Sequence, residues 1–99
     1  MVERVVVLPD AARDIDEAVA WYKARDPRLG DEFLRRVDDC LVAVRRTPDA
    51  FSGVGKGYRR AVLRRFPYGV FYEFANDSIV VYAVVHCAQD PVRWRSRLP

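Results

Sequence analysis

The stretch Ile79-Val80-Val81-Tyr82-Ala83-Val84-Val85 constrains this chain more than any other. Seven residues, nearly all apolar and mostly β-branched, between Asn76-Asp77-Ser78 and His86 are too short for a buried helix and fit a strand covered on both faces. A second apolar run, Val5-Val6-Val7-Leu8, lies near the N-terminus and predicts a strand over Val2–Leu8. Whatever fills the space between the two must supply the layer that covers them.

That layer is helical. Pro9-Asp10 opens a helix with a proline suited to the first turn and a carboxylate at the positive end of the dipole. Ala11, Ile15, Ala18, Val19 and Tyr22 then recur on one face, and the pattern ends near Arg25. Asp26-Pro27 is a second start, an Asp N-cap with Pro at the first helical position. Leu29, Phe33, Val37, Cys40, Leu41 and Val44 line its apolar face until Thr47-Pro48 stops it. So short a connection predicts an antiparallel helical hairpin.

Phe51–Gly57, with glycines at 53, 55 and 57, is expected to be a loop. Tyr58–Arg65, Val70–Phe74 and Ser78–His86 then form a meander, with Phe66-Pro67-Tyr68-Gly69 and Ala75-Asn76-Asp77 as connections. The order is β-α-α-β-β-β: an α+β fold with the hairpin packed on one face of a mainly antiparallel sheet. Residues 1–99 are expected to form one domain, since 99 residues leave no room for two cores. The other sheet face is left to solvent, to the C-terminal segment or to a partner.

No run reaches the roughly 18 apolar residues a membrane span requires, and the start shows no signal-peptide pattern. Cys40 and Cys87 have no metal-ligand spacing and read as two buried or half-buried free thiols. No phosphate loop, zinc set or Ser/His/Asp arrangement is present, so neither metal nor cofactor is expected.

Charge is distributed unevenly. Residues 1–50 carry a net −2 and residues 51–99 a net +5. The basic set Arg59, Arg60, Arg64, Arg65, Arg93, Arg95 and Arg97 is all arginine, suited to bidentate contact with carboxylate or phosphate. Strand alternation puts Arg60 and Arg64 on one side and Arg59 and Arg65 on the other. Trp94, between arginines, is the expected exposed anchor, whereas Tyr22, Tyr72 and Tyr82 belong to the core. His86, the only histidine, is either a structural group or a general base. Asp14, Asp16, Glu17, Asp38 and Asp39 lie on polar helix faces and read as solvated.

Several segments together carry a resemblance: Leu8-Pro9-Asp10-Ala11 to Trp21-Tyr22, Leu29-Gly30-Asp31-Glu32-Phe33, Tyr58-Arg59-Arg60 to Leu63-Arg64-Arg65-Phe66-Pro67-Tyr68 with Tyr72, and His86 to Asp90-Pro91 and Trp94. In order and spacing they resemble the RelE/ParE toxins of type II toxin–antitoxin modules, most of all the ParE, or plasmid stabilization, branch. The resemblance implies one of two activities in the cytoplasm. RelE-like members cut mRNA on the ribosome, which would cast His86 as base with Arg60 and Arg64 binding phosphate. ParE-like members inhibit DNA gyrase without such a site. Nuclease relatives carry an arginine after the turn tyrosine and a basic residue past the last strand. Here Gly69 follows Tyr68, and His86-Cys87-Ala88-Gln89 follows the strand, which favours gyrase inhibition. Arginine near position 89, common among ParE relatives, is also absent. A non-toxic, antitoxin-binding relative is the third reading. Each branch implies a cognate antitoxin whose flexible tail wraps the toxin, adds to an exposed strand edge and pairs acidic residues with the arginines. Arg59, Arg60, Arg64, Arg65, Arg93, Trp94 and Arg95 are the expected contacts with antitoxin or target.

Overall fold

The computed structural model describes residues 2–88 and 91–99, without the side chains of Val92 and Arg93. Strand β1 (Arg4–Val7) leads into α1 (Pro9–Arg25) and α2 (Pro27–Arg46). Strands β2 (Ser52–Gly55), β3 (Tyr58–Val62), β4 (Tyr68–Ala75) and β5 (Ser78–His86) follow, and a short α3 (Pro91–Arg95) lies near the C-terminus. The sheet order is β1-β5-β4-β3-β2, with β1 parallel to β5 and the other pairs antiparallel. The apolar run thus lies between two strands, as its composition requires.

Both helix starts follow the sequence. Pro9 opens α1 with Asp10 in the first turn, and the Asp26 side chain accepts from the Arg28 backbone N–H at 3.0 Å to cap α2. Phe33, Val37, Cys40 and Val44 of α2 and Ala11 and Ala18 of α1 meet Val70, Tyr72, Ile79, Val81 and Val84 in the main core. Gly30 lets the two helices approach: a Cβ there would stand 3.0 Å from the Lys23 Cβ and 3.2 Å from the Val19 carbonyl oxygen.

The expected loop over Phe51–Gly57 contains β2 instead. Its Ser-Gly-Val-Gly sequence lacks the apolar alternation that announces a strand, and its pairing depends on the hairpin that follows. Gly55 pairs with Tyr58 across Lys56-Gly57, both at positive φ, the backbone a two-residue hairpin needs. Asn76-Asp77 turns β4 into β5 in the same way, with φ of 54° and 60°. Strand β3 stops at Val62 rather than Arg65, because Arg65 adopts φ 69° in the bend before Phe66.

Of the covers left open for the second sheet face, the C-terminal segment is the one found there. Phe71, Ala83 and Val85 are covered by Trp94, with Val54 and Leu98 packed around them. A bulge creates this second core. Phe71 pairs with Ala83 but Tyr72 with Val81, so Tyr82 is an extra residue. Ile79 and Val81 therefore face the helices, and beyond the bulge the parity changes: Val84 faces them, while Ala83 and Val85 face Trp94.

Asp14 is not solvated as its helix face suggested. It accepts from the Val84 N–H at 2.9 Å and from the two terminal guanidinium nitrogens of Arg97, at 3.2 and 2.9 Å. Cys40 is buried, but Cys87 is exposed rather than half-buried, and both thiols are free. Among the described residues no helix is long and apolar enough to cross a membrane.

Candidate functional site

The expected arginine set is divided among three surroundings. Arg59 lies on the helix side of β3 with Ala61 and donates to the carbonyls of Phe51, at 2.7 Å, and Asp49, at 3.2 Å. It ties the chain before β2 to the sheet. Arg60 points to the opposite face, its stem packed where a Gly69 Cβ would come within 3.0 Å. The Arg60 Nε is buried and has no hydrogen-bond acceptor among the described residues, which leaves a charge-bearing donor unmet there.

Arg64 and Arg65 lie in the exposed bend between β3 and β4. Arg65 stands 3.6 Å from Glu32 of α2, which also binds Arg36 at 2.6 Å and Arg35 at 3.7 Å. One carboxylate is thus shared by three guanidiniums, and Arg64 adds a fourth cation beside them.

Trp94 is the clearest correction. Rather than an exposed anchor, it is 7% exposed and stacked on Phe71 with ring centroids 4.4 Å apart. A residue flanked by charges read as solvated because the second core that holds it depends on the bulge, which leaves no mark in the sequence. Arg95 remains exposed, with its guanidinium carbon 5.0 Å from the Trp94 ring. The Arg93 side chain and Gln89 lie outside the described residues.

His86 ends β5 against Tyr68, ring centroids 5.2 Å apart, beside a groove of about 390 Å³ between α1 and the strand end. Trp21, Tyr22, Glu17 and Asp14 also line it. Burial, with Tyr22 nearby, holds the Tyr68 hydroxyl above its ordinary value and keeps it protonated at neutral pH. The Ala88 N–H donates to His86 Nδ1 at 3.0 Å. In the neutral ring that nitrogen is the acceptor, so the proton sits on Nε2 and the lone pair a base would use is already engaged.

The three candidate nuclease groups are therefore not assembled. His86 lies with Tyr68 at the helix-side groove, Arg60 lies on the other sheet face, and Arg64 lies in the exposed bend. Sequence reasoning missed the two carboxylates that organise the cations, Asp14 and Glu32. Their spacing on helix faces resembles that of any solvated acid, and only their partners, 83 and 33 positions away, distinguish them.

A helical hairpin on a five-stranded mixed sheet, with the basic bend and the C-terminal arginines around it, defines a small α+β domain with a cationic surface, and sequence comparison gives the family. The profile of the ParE toxin of the type II toxin-antitoxin system, parDE, matches residues 5–91. This chain belongs to that family. Toxin ParE2 of Mycobacterium tuberculosis, in strains CDC 1551 / Oshkosh and H37Rv, is 30% identical over 92 residues, which span 92% of this chain and 88% of that protein. The fold is shared with a chain of the chromosomal ParDE TA system from P. aeruginosa, at a TM-score of 0.63 and 17% identity over 87% of this chain and 96% of that one. It is also shared with the isolated E. coli RelE toxin, at 0.62 and 18% over 93% and 92%.

Proposed function

We propose that this chain acts in the cytoplasm as a single-domain toxin that inhibits DNA gyrase and is neutralised by a cognate antitoxin. The observation that carries the choice between the two branches is the separation of His86 from Arg60 by the sheet. RNA cleavage through the 2′-hydroxyl needs a base and a phosphate-binding cation around one reacting centre. Here the base's lone pair is held by Ala88, and Tyr68 is followed by Gly69 rather than by a second cation. Inhibition by binding needs only a surface, and membership of the ParE family supports it.

The antitoxin reading rests on the family and on the surplus positive charge. Arg60, Arg64, Arg65 and Arg95 are the contacts we assign to antitoxin or target, with Arg59 and Trp94 supporting the surface on which they stand. Arg93 belongs to the same basic segment. Acidic residues on a partner complement this surface and speed association.

The test is induction in a bacterium with pulse-labelling of DNA and protein synthesis over the following minutes. An early fall in DNA synthesis with translation intact, followed by inhibition of purified gyrase supercoiling, is the expected result. Arrest of translation first, with cleaved mRNA, would replace this reading with the ribosomal nuclease. Normal growth would replace it with a non-toxic relative.

A further inference from the structure

Helix α1 leaves an opening against the sheet. Strand β1 pairs with β5 only as far as Val81, and β5 runs on to His86 beside the helix. Two backbone groups past that early stop are already held, the Val84 N–H by Asp14 and the Tyr82 carbonyl by Arg97. The opening is thus closed to an added strand, and what it offers is side chains. Asp14, Glu17, Ala18 and Trp21 line it from α1 at i, i+3, i+4 and i+7, one face of the helix, and the small Ala18 gives it depth.

This groove of about 390 Å³ is walled by a continuous row of rings. Trp21 meets Tyr22 edge to face with centroids 4.9 Å apart, Tyr22 meets Tyr68 at 6.1 Å, and Tyr68 meets His86 at 5.2 Å. In a chain with 17 Lys and Arg, none of them lines the groove, whereas the carboxylates of Asp14 and Glu17 both do. Asp14 is engaged by Arg97, but the exposed Glu17 has no ion pair among the described residues. Aromatic faces beside an unpaired carboxylate attract a cation. A guanidinium suits them best, because it is flat, weakly hydrated and able to stack. The protein makes that contact once itself: the Arg25 guanidinium carbon lies 3.2 Å from the Trp21 ring centroid.

We propose that this groove receives an arginine side chain presented by a partner protein. The guanidinium stacks among the rings of Trp21, Tyr22 and Tyr68 and donates to the Glu17 carboxylate, while the aliphatic stem lies along Ala18 and Val85. The inference goes beyond the proposed function. That reading assigns contacts to the chain's own arginines, on the bend, the second sheet face and the C-terminal segment, and leaves this acidic, aromatic surface without a role. The two surfaces carry opposite charge and so select different partner segments.

The test titrates the isotope-labelled chain with an end-capped Gly-Arg-Gly peptide, and with the same peptide carrying citrulline or lysine in place of arginine. Citrulline keeps the shape of the side chain and removes its charge. The arginine peptide should shift the Trp21 indole and the Val85 and His86 amides to saturation. It should bind about tenfold more tightly than the citrulline peptide and about twofold more tightly than the lysine one. Glu17→Gln and Trp21→Ala should each weaken it about threefold. Both side chains are exposed, so neither change threatens the fold. Asp38→Asn, which removes an exposed carboxylate from α2, should leave binding unchanged. Equal binding of the citrulline peptide, shifts confined to other surfaces, or equal losses in the Glu17 and Asp38 variants would overturn the assignment. So would the same shifts on concentrating the chain alone, which would give the groove to a second copy. None of these results bears on growth arrest or supercoiling, whose assigned contacts lie on the other surfaces.

Discussion

Asp14 and Arg97, 83 positions apart, form a bidentate pair that joins the first helix to the C-terminal segment across the bulge of β5. The pair also satisfies backbone. Asp14 accepts from Val84, and Arg97 donates to the Tyr82 carbonyl at 3.3 Å. These groups flank the bulge, beyond the last residue that β1 pairs. The side chains are 17% and 26% exposed, enough shielding for the pair to outweigh an ordinary surface ion pair.

Asp14→Ala should therefore destabilise the fold by about 2 kcal/mol, since it leaves a guanidinium and an amide without their acceptor. The melting midpoint should fall by roughly 10 °C for a domain of this size. Arg97→Ala should cost a similar amount, and the double variant clearly less than the sum. Additive losses in a thermal-melt cycle would show that the pair is not the connection.

Trp94→Ala should unfold or loosen the C-terminal segment rather than merely remove a contact. The indole is stacked on Phe71 over Ala83 and Val85, and truncating a buried aromatic costs about 3 kcal/mol or more. Loss of toxicity in this variant would thus report on folding, and Arg95→Ala is the cleaner probe of the surface. The same geometry predicts two classes of tryptophan emission. Trp21, 50% exposed, should be quenched readily by acrylamide, and Trp94 only weakly. Equal quenching would contradict the second core.

Much of the architecture was legible in the sequence, and the misses share a cause. The two helices, their starts and the central strand are local patterns: proline and aspartate at the starts, apolar residues at helical spacing, and a run with no charged interruption. Strand β2, the bulge at Tyr82 and the burial of Trp94 are set by pairing partners distant in the chain. The positions of the arginines show the same limit. Alternation separated Arg59 from Arg60, but Arg64 and Arg65 left the strand because Arg65 bends the backbone at positive φ, with Glu32 beside its guanidinium. Composition identified a basic half, and only tertiary structure shows which of its cations are already engaged.

Gly30→Ala should destabilise, although alanine is the better helix former by about 1 kcal/mol. The added methyl meets the Lys23 Cβ at 3.0 Å and the Val19 carbonyl oxygen at 3.2 Å, so the two helices must separate. We expect a net loss of about 1–3 kcal/mol from overpacking. A rise in the melting midpoint would mean that the hairpin yields freely at this crossing.

Alkaline pH should unfold the protein through two buried groups. Burial pushes the Tyr72 hydroxyl from 10.0 up to about 12, against the opposing pull of Arg59, and pushes the Cys40 thiol from 9.0 up to about 11. In both, the folded state holds the proton more tightly than the unfolded chain. Their contribution is complete below pH 9 and is lost between roughly pH 9 and 12, as the unfolded chain ionises first. Tyr72→Phe gives up the 2.6 Å hydrogen bond to the Pro48 carbonyl and should lose about 1 kcal/mol at neutral pH. It should nevertheless show a shallower decline above pH 10 than the parent. Cys40→Ala should flatten the decline between roughly pH 9 and 11. Urea unfolding at a series of pH values measures both slopes. An unchanged slope in the Phe variant would show that Tyr72 ionises as readily in the folded state as in the unfolded one.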